Sequence, residues 1–469
     1  MDKKDTSYLI AEYVRTMTYD SLLETSVAAA KFMLKDALAL SIAGSNAVIY
    51  KRIHRIIVGW GGLEEASVLV CGNRLPVHHA AFLNSLLIHS LDFDDTHDLG
   101  TLHVSPAAVP ACLAVGQLTS ASGKELLAAI VNSVEIAVKL ATSITEAISA
   151  TGWIYSAICQ YLSTAAVSAA MMGLDDDGIV MALGNAYAQM GGTYQVSADA
   201  ADTKRFQPAL AVRDGVFSAV LAAAGVTGCR NVIDGKYGFV NQYLRGKFDA
   251  SHFSSALKEN GQKEIEQLSY KPYPSCRFTH SGIDAAKKLV REYDLRAEDI
   301  LSGEILVSTP TFRSVCNPVD LKQAPQTLMQ AQYSLPFTVA MTIVKGSVDL
   351  KTMTSAMLAD EQIVSLSKKL VPVISGELDE RYGRSVAPCI LKLNTSKGNI
   401  ELSVAEPLGS PQNPFTQEII ERKLFDCIEY SGRDICPSKV NELLRMVDHL
   451  ENVKNVSDFV ERINEICNP

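Results

Sequence analysis

Residues 80–106 read AAFLNSLLIHSLDFDDTHDLGTLHVSP and carry more chemical information than any other stretch of the chain. The first ten residues are apolar and predict a helix. Carboxylates and imidazoles that lie close together are typical of proton-transfer sites, because each group shifts the pKa of its neighbours. The alternative is that the aspartates cap helix ends and the histidines are ordinary surface groups. The polar residues that follow the apolar run are Asp92, Asp94, Asp95, Thr96, His97, Asp98 and His103.

The composition is that of a soluble globular protein with more than one domain. The chain has 469 residues, which exceeds the size at which a single core keeps growing. Hydrophobic residues make up 47% and charged residues 20%, a balance that excludes a disordered protein. The formal net charge is −9, and the absence of a strongly basic segment argues against a nucleic-acid partner. Anionic substrates are still compatible with this charge, because a few local cations are enough to bind them.

Targeting and cysteine patterns indicate a cytoplasmic protein without a membrane segment. The N-terminal residues MDKKDTSYLIAEYV lack the apolar core of a secretory signal. The apolar runs 107–118 and 219–225 are shorter than the roughly 20 residues that cross a bilayer. The ten cysteines are scattered without a C-x-x-C pair, which predicts reduced and mostly buried thiols and argues against a zinc site.

The first half of the chain has the pattern of successive helices. Ser122 and Glu125 form a predicted capping box ahead of LLAAIVNSVEIAVKLA, in which apolar residues recur at helical spacing. Helices that are rich in Ala and Ser and poor in charge pack inside large bundles. Similar patterns predict helices at 21–43, 155–172 and 208–224, and connections are predicted at 175–177, 191–193 and 227–229.

The pattern changes near Lys271, where prolines become denser and strand-like alternation appears. The sequences ILKLN and IELSV flank the turn SKGN within 389–404, which predicts a hairpin. We therefore expect a mainly-α protein in which residues 1–270 and 407–469 form a large all-helical domain. A smaller α+β lid domain, residues 271–406, is inserted into it. Within this domain we expect a strand at 303–309 and helices at 284–293 and 328–344.

Two clusters of cations are candidates for binding carboxylates. One is the DTKR sequence at 202–205, and the other is YKPYPSCRFTH at 270–280, where the domain pattern changes. Arginine offers a bidentate fork, lysine offers a point charge, and clefts between domains are common sites for small molecules. The alternative is that these are solvated cations on a helix end and a linker. The sequence favours this alternative more for Lys204 and Arg205 than for Lys271.

With these motifs the chain resembles the MmgE/PrpD family, which includes 2-methylcitrate dehydratase, cis-aconitate decarboxylase and iminodisuccinate epimerase. The resemblance implies a large helical domain with an α+β lid, a homodimer, and no metal or organic cofactor. The site residues that it implies are Asp92, Thr96, His103, Lys204 and Lys271, with Arg277 nearby. The matching segments lie in order at 78–98 with His103, 202–216, 271–280 and 330–340.

One position departs from the family. Many relatives carry a histidine in a G-[FW]-H-P motif, whereas this chain reads Gly-Trp-Ile-Tyr at 152–155. Tyr155 or Tyr194 could replace the imidazole only in part, because tyrosine ordinarily titrates at about pH 10 and needs activation by neighbouring cations. The absence of this histidine is compatible with an epimerase.

The residues together suit the removal of a proton from a carbon next to a carboxylate. Cations in a water-poor cleft stabilise the carbanion that forms. We expect Lys204, Lys271, Arg205 and Arg277 to bind the substrate carboxylates. His103 is the expected general base or acid, with Asp92 orienting it, Thr96 hydrogen-bonding to the substrate and Tyr155 as a further catalytic candidate.

Three classes of function follow from this site. The first is a hydro-lyase that acts on a small di- or tricarboxylic acid, such as a citrate or aconitate analogue. An epimerase of a substituted succinate or a decarboxylase of an aconitate-like acid is the alternative, and a catalytically silent binding protein is the third. Asp94 and Asp95 do not define the geometry of a metal site, and we expect His89 to be a hydrogen-bonded core residue.

Overall fold

The computed structural model describes residues 5–258 and 263–468, and the chain divides into two compact units. The first unit is helical and combines the residues up to Leu268 with those from Ile420 onward. The second unit is Ser269–Ile419 and contains a four-stranded sheet. The mainly-α class with an inserted α+β domain is thereby confirmed.

The helical unit is built from long helices that are rich in small residues. Its longer helices are Ser7–Thr16, Glu24–Gly44, Val48–Trp60, Val77–His89, Ser105–Leu118, Gly123–Ser143, Tyr155–Met171, Asp176–Tyr187, Gln207–Ala223, Ala250–Lys258, Pro437–Asp448 and Val456–Cys467. Gln417–Ser431 brings the chain back into it, and its shorter elements include Ile148–Thr151, Gln195–Ala198, Asp202–Phe206, Phe239–Gln242 and the two-residue strands Ala66–Ser67 and Arg74–Leu75.

Local sequence signals fix the ends of several of these helices. Ser122 Oγ accepts from the backbone N–H of Glu125 at 3.3 Å, and the Glu125 carboxylate accepts from Ser122 N at 2.7 Å, so the predicted capping box is confirmed. The connection predicted at 175–177 is wrong. Asp175 caps Asp176–Tyr187 instead, and two aspartates form its first turn, where the helix dipole favours negative charge.

Close helix packing depends on Gly44, the last residue of Glu24–Gly44. A Cβ atom at this position would overlap the backbone carbonyl of Leu87, which lies in the helix Val77–His89. The two helices can approach this closely because glycine has no side chain. This contact sets the position of the helix end from which the candidate site begins.

Among the described residues, the helix Gly123–Ser143 is long and apolar enough to cross a membrane by length and composition, and the pair Glu24–Gly44 and Val48–Trp60 passes only if it is counted as one span bent by 87°. The apolar runs considered from the sequence did not include Gly123–Ser143. Almost all of this helix is buried inside the protein, as is usual for a core helix, so it is weak evidence for a membrane span. All ten cysteines are free, and seven of them are buried, as predicted.

The second unit contains a sheet with the strand order Leu370–Ile374, Ile300–Val307, Ile390–Thr395, Gly398–Ser403. The predicted hairpin is confirmed, with Leu391 opposite Leu402 in an antiparallel register. Leu370–Ile374 runs parallel to its neighbour and was not predicted; it contains Pro372, which an edge strand tolerates. The helices that pack around the core of this unit include His280–Tyr293, Leu335–Lys345 and Glu361–Lys369.

Two details of the second unit differ from expectation. The helix predicted over 328–344 is divided into Leu328–Gln332 and Leu335–Lys345, because Ser334 accepts from Phe337 N at 3.1 Å and starts a new helix. The proline-rich segment 407–414 groups with this unit. Tyr270 N donates to the carbonyl of Gly409 at 2.8 Å, which helps to explain why the unit extends to Ile419 and not to the expected 406.

Gly44→Ala should lower the free energy of unfolding by about 1–3 kcal/mol, because the added methyl group overpacks the contact with Leu87. Gly59→Ala is the matched control. A Cβ atom at Gly59 meets nothing within 4 Å, so alanine should stabilise the exposed helix by about 0.5–1 kcal/mol. Urea denaturation followed by circular dichroism measures both variants, and equal effects would contradict the packing argument.

Candidate active site

The candidate site is built on residues 90–104, called here the aspartate loop, which join Val77–His89 to Ser105–Leu118. Asp92 has a φ of 55°, a left-handed conformation that aspartate adopts more readily than most residues. Asp92, Asp94 and Asp95 are at most 2% exposed, so they are not surface groups. Asp95 does cap the following helix, because its Oδ1 accepts from Ser105 N at 2.9 Å.

Lys204 meets this loop from the turn Asp202–Phe206. Its Nζ lies 2.5 Å from Asp92 Oδ2 and 3.4 Å from His89 Nε2, and all three side chains are buried. The reading of Lys204 as a solvated cation is therefore wrong. Arg205 Nη1 donates to the carbonyl of Ser90 at 2.6 Å, which anchors the start of the aspartate loop.

Asp94 lies between two imidazoles. Its Oδ2 is 2.9 Å from His89 Nδ1 and 2.8 Å from His103 Nδ1. Burial alone would raise the pKa of Asp94, but the charges and hydrogen bonds of His103 and His89 lower it well below its ordinary value. Burial lowers the pKa of His89 to about 4, against the opposing effect of Asp94. The carboxylate is therefore ionised at neutral pH, and His89 is uncharged.

The contacts of His103 determine which of its nitrogens carries the proton. Its Nδ1 lies 2.8 Å from Asp94 Oδ2 and 3.0 Å from the carbonyl oxygen of Asp95. Both oxygens can only accept, so Nδ1 carries the hydrogen and Nε2 of the neutral ring keeps a lone pair. Such a ring can take up a proton at Nε2. The orienting role that we expected for Asp92 therefore falls to Asp94, whereas Asp92 pairs with Lys204.

His97 has a different task from the other two histidines. Its Nδ1 accepts from Gly100 N at 3.0 Å, and its Nε2 lies 3.2 Å from Glu264 Oε2. These contacts shape the second half of the aspartate loop. His89 is buried and hydrogen-bonded to Asp94, as we expected of a core residue, and it is also the second imidazole of the cluster.

The helix Tyr155–Met171 holds the backbone of His103. His103 N donates to Ser156 Oγ at 2.8 Å, and the amide of Gln160 donates to the carbonyl of His103. Neither residue was predicted, although polar side chains on an apolar helix were a usable signal. Tyr155 is buried and donates its hydroxyl to the carbonyl of Glu146 at 2.8 Å, which does not favour the acid–base role expected of it.

Two other positions of the helical unit are also buried. Thr96 Oγ1 donates to Asp98 Oδ1 at 3.2 Å, so this hydroxyl supports the turn that follows the aspartates. Ile154, which stands at the family's histidine position, is 7% exposed, and its N–H donates to the carbonyl of Gly192 at 2.8 Å. The apolar side chain of Ile154 supplies neither acid nor base.

Lys271 and Arg277 belong to the second unit, and both are buried, so the reading of this segment as a solvated linker is wrong. Arg277 Nη2 donates to Ser269 Oγ at 3.0 Å. The intervening proline-rich turn is fixed by the Gln332 amide, which donates to the carbonyl of Pro274 at 2.9 Å. Within the helical unit, the structure brings together Asp92, Lys204 and His103; the contribution of Lys271 and Arg277 stays a prediction.

Of the described residues, His89, Asp94 and His103 form the group whose donor atoms lie close enough to hold a metal ion, all within 4.8 Å of one another. The two Nδ1 atoms are at hydrogen-bond distance from one carboxylate oxygen. The Lys204 ammonium next to His89 disfavours a further cation. We therefore interpret these contacts as hydrogen bonds, and the expectation of no metal and no cofactor stays a prediction.

The C-terminal part of the chain supports the aspartate loop through Lys423. Its Nζ lies 2.7 Å from Asp36 Oδ1, donates to the carbonyl of Phe93 at 3.0 Å and stands 4.0 Å from the centre of the Phe93 ring. Asp36, Phe93 and Lys423 are all buried. One buried ion pair therefore joins three distant segments directly beside the site.

Known proteins are similar to this chain over almost its whole length. A family model described as MmgE/PrpD N-terminal domain matches residues 9–251, and one described as MmgE/PrpD C-terminal domain matches residues 273–447. The chain is 27% identical to cis-aconitate decarboxylase-like protein oryM of Aspergillus oryzae, over 93% of this chain and 92% of that protein. It is 22% identical to the cis-aconitate decarboxylases of Aspergillus terreus and Mus musculus, over 97% of this chain and 95% and 92% of theirs.

Lys423→Met should lower the free energy of unfolding by about 3–5 kcal/mol, because it leaves the carboxylate of Asp36 buried without its cation. Lys439→Met is the control: Lys439 pairs with Glu442 at the surface, and its loss should cost less than about 1 kcal/mol. Chemical denaturation measures both variants. Similar losses for the two would contradict the assigned role of Lys423.

Asp95→Asn should change how stability depends on pH. Burial, followed by the charge of Asp94, raises the pKa of Asp95 to about 7 in the folded protein, above its ordinary value of about 4. Between these values the folded state binds more protons than the unfolded state, so stability falls as the pH rises. Asparagine cannot titrate, so the variant should gain stability relative to the wild type from pH 4 to 7. Urea denaturation across this range tests this, with Asp434→Asn as an exposed control.

Proposed function

The chain belongs to the MmgE/PrpD family, and on this premise we propose that it is a cofactor-independent lyase acting on a small di- or tricarboxylic acid. The observation that carries the proposal is the pairing of the buried Asp94 carboxylate with His103 beside the Lys204–Asp92 ion pair. This arrangement combines an oriented imidazole with a fixed cation, which is what carbanion chemistry next to a carboxylate requires.

Decarboxylation of an aconitate-like acid is the reaction that we place first. The relatives with a printed activity are cis-aconitate decarboxylases, and they match nearly the whole chain. This order differs from the one drawn from the motifs alone, in which a hydro-lyase came first. Epimerisation of a substituted succinate is the second candidate, because Ile154 occupies the position of the family's histidine and removes one acid or base from that chemistry.

The chain's own residues account for each step of a decarboxylation. Lys204 binds a substrate carboxylate and faces the charge that develops when the C–C bond breaks and carbon dioxide leaves. The electron pair of that bond stays on the substrate as a carbanion conjugated with a remaining carboxylate. The protonated His103 then donates its Nε2 proton to carbon, and Asp94 stabilises the imidazolium before the transfer. Asp92 keeps the Lys204 ammonium in place.

Proton NMR in heavy water with cis-aconitate, citrates and substituted succinates distinguishes the reactions. Carbon dioxide release with a new alkene product and deuterium incorporation is the expected result. A new alkene without carbon dioxide would indicate a hydro-lyase, and deuterium at a stereocentre without an alkene would indicate an epimerase. Either result would overturn decarboxylation as the first choice. No change in any acid of the panel would overturn the proposed substrate class.

His103→Gln and Lys204→Met should each lower kcat/KM by about 100-fold or more, because one removes the acid or base and the other removes the cation. Lys271→Met tests the role expected of the second unit and should also abolish turnover. Lys439→Met, at a surface position, should retain wild-type rates. Undiminished activity of Lys271→Met would show that Lys271 is not a site residue.

A further inference from the structure

The last residue of the helix Val77–His89 lies between the two halves of the candidate site. We propose that His89 is a positioning residue that couples the Lys204 cation to His103 through the shared carboxylate of Asp94. The catalytic meaning of this coupling rests on the proposed function. The proton arrangement on which the coupling depends does not rest on the proposed function. This arrangement can be tested in the protein without any substrate.

The geometry of His89 is that of a bridge. Its side chain is 2% exposed, with Nδ1 2.9 Å from Asp94 Oδ2 and Nε2 3.4 Å from Lys204 Nζ. Its ring meets that of His103 edge-on, with 4.7 Å between the ring centres. The charged and titratable groups that face it are Asp94 and His103 of the aspartate loop and Lys204, which is itself paired with Asp92.

These contacts assign a single arrangement of protons. Asp94 is ionised and can only accept, so Nδ1 of His89 must donate to it. A neutral imidazole has one N–H, so Nε2 of His89 carries a lone pair. Lys204 is a donor at every proton of its ammonium group, and it therefore donates to that lone pair. His89 accepts on one side and donates on the other.

His89 and His103 compete for Asp94, because both donate to the same carboxylate oxygen. Both His89 Nδ1 and His103 Nδ1 approach Oδ2. A hydrogen bond accepted at one nitrogen of an imidazole strengthens the donor at the other, since hydrogen bonds in a chain polarise one another. Donation from Lys204 to His89 therefore strengthens the hydrogen bond from His89 to Asp94 and weakens the one from His103. When a substrate carboxylate binds the Lys204 ammonium in place of His89, the hydrogen bond from His103 to Asp94 strengthens and the basicity of His103 rises.

The two contacts of His89 can be separated by two substitutions. The amide of asparagine superimposes on the Nδ1 side of the imidazole, so His89→Asn keeps a donor for Asp94 and loses the contact with Lys204. The longer glutamine side chain reaches the Nε2 side, so His89→Gln keeps an acceptor for Lys204 and loses the donor to Asp94. His449→Asn and His449→Gln, at an exposed histidine, are the matched controls.

The expected kinetic results differ between the variants. His89→Asn should raise KM about tenfold, because Lys204 loses an acceptor that holds it. It should also move the alkaline limb of the kcat/KM profile upward, but by less than His89→Gln does, because Lys204 no longer acts on Asp94 while a competing donor to Asp94 remains. His89→Gln should move the alkaline limb of the kcat/KM profile upward by about one pH unit, because Asp94 then bonds to His103 alone and stabilises its protonated form. Uniform losses of kcat in both variants, with unchanged profiles and KM, would reduce His89 to a packing residue and overturn the proposal.

Nitrogen-15 NMR of the histidine side chains tests the proton arrangement in the resting protein. His89, assigned by the loss of its signals in the variants, should show a protonated Nδ1 and a bare Nε2 at pH 7. The opposite tautomer, an imidazolium, or a bound metal detected by elemental analysis would overturn the inference. Because no substrate is present, this result does not depend on the proposed reaction. If the protein shows the expected tautomer but converts none of the tested acids, the proposed function is contradicted and the proton arrangement is not.

Discussion

The candidate site depends on one buried carboxylate that is shared by two imidazoles. An ionised carboxylate in a protein interior is costly unless donors surround it, and Asp94 is fully buried. His89 and His103 supply those donors at 2.9 and 2.8 Å. The same contacts fix which nitrogen of each ring is protonated. Three properties of the site therefore depend on one another: the charge of Asp94, the tautomers of both histidines and the acceptor available to Lys204.

Packed helices hold this arrangement on both sides. His89 is the last residue of its helix, and the close approach that Gly44 allows at Leu87 fixes the position of that helix end. On the other side of the loop, Ser156 and Gln160 hold the backbone of His103. The site is thus positioned by packed helices although its residues lie on an irregular loop. This combination suits a group that must keep its geometry while charge moves.

The types of the site residues could be predicted from the sequence, but several of their roles could not. Asp92, His103 and Lys204 were implied by the resemblance to the MmgE/PrpD family, which rests on short motifs that concentrate acidic, imidazole and cationic groups. His89 is buried and hydrogen-bonded, as expected of a histidine on an apolar helix, but its contacts with both Asp94 and Lys204 could not be predicted. Tyr155 was considered, with Tyr194, as a partial replacement for the missing imidazole, yet its hydroxyl donates to a backbone carbonyl.

The sequence by itself determined the features that depend on neighbouring residues: the capped helix that begins after Ser122, the hairpin within 389–404 and the gathering of aspartates in one loop. Only the tertiary structure decided which carboxylate serves which partner. Lys204 and Asp92 are 112 positions apart, and Lys423 and Phe93 are 330 apart. The direction of a side chain in an irregular loop follows from the helices that close around it, because no periodic backbone pattern relates such distant residues.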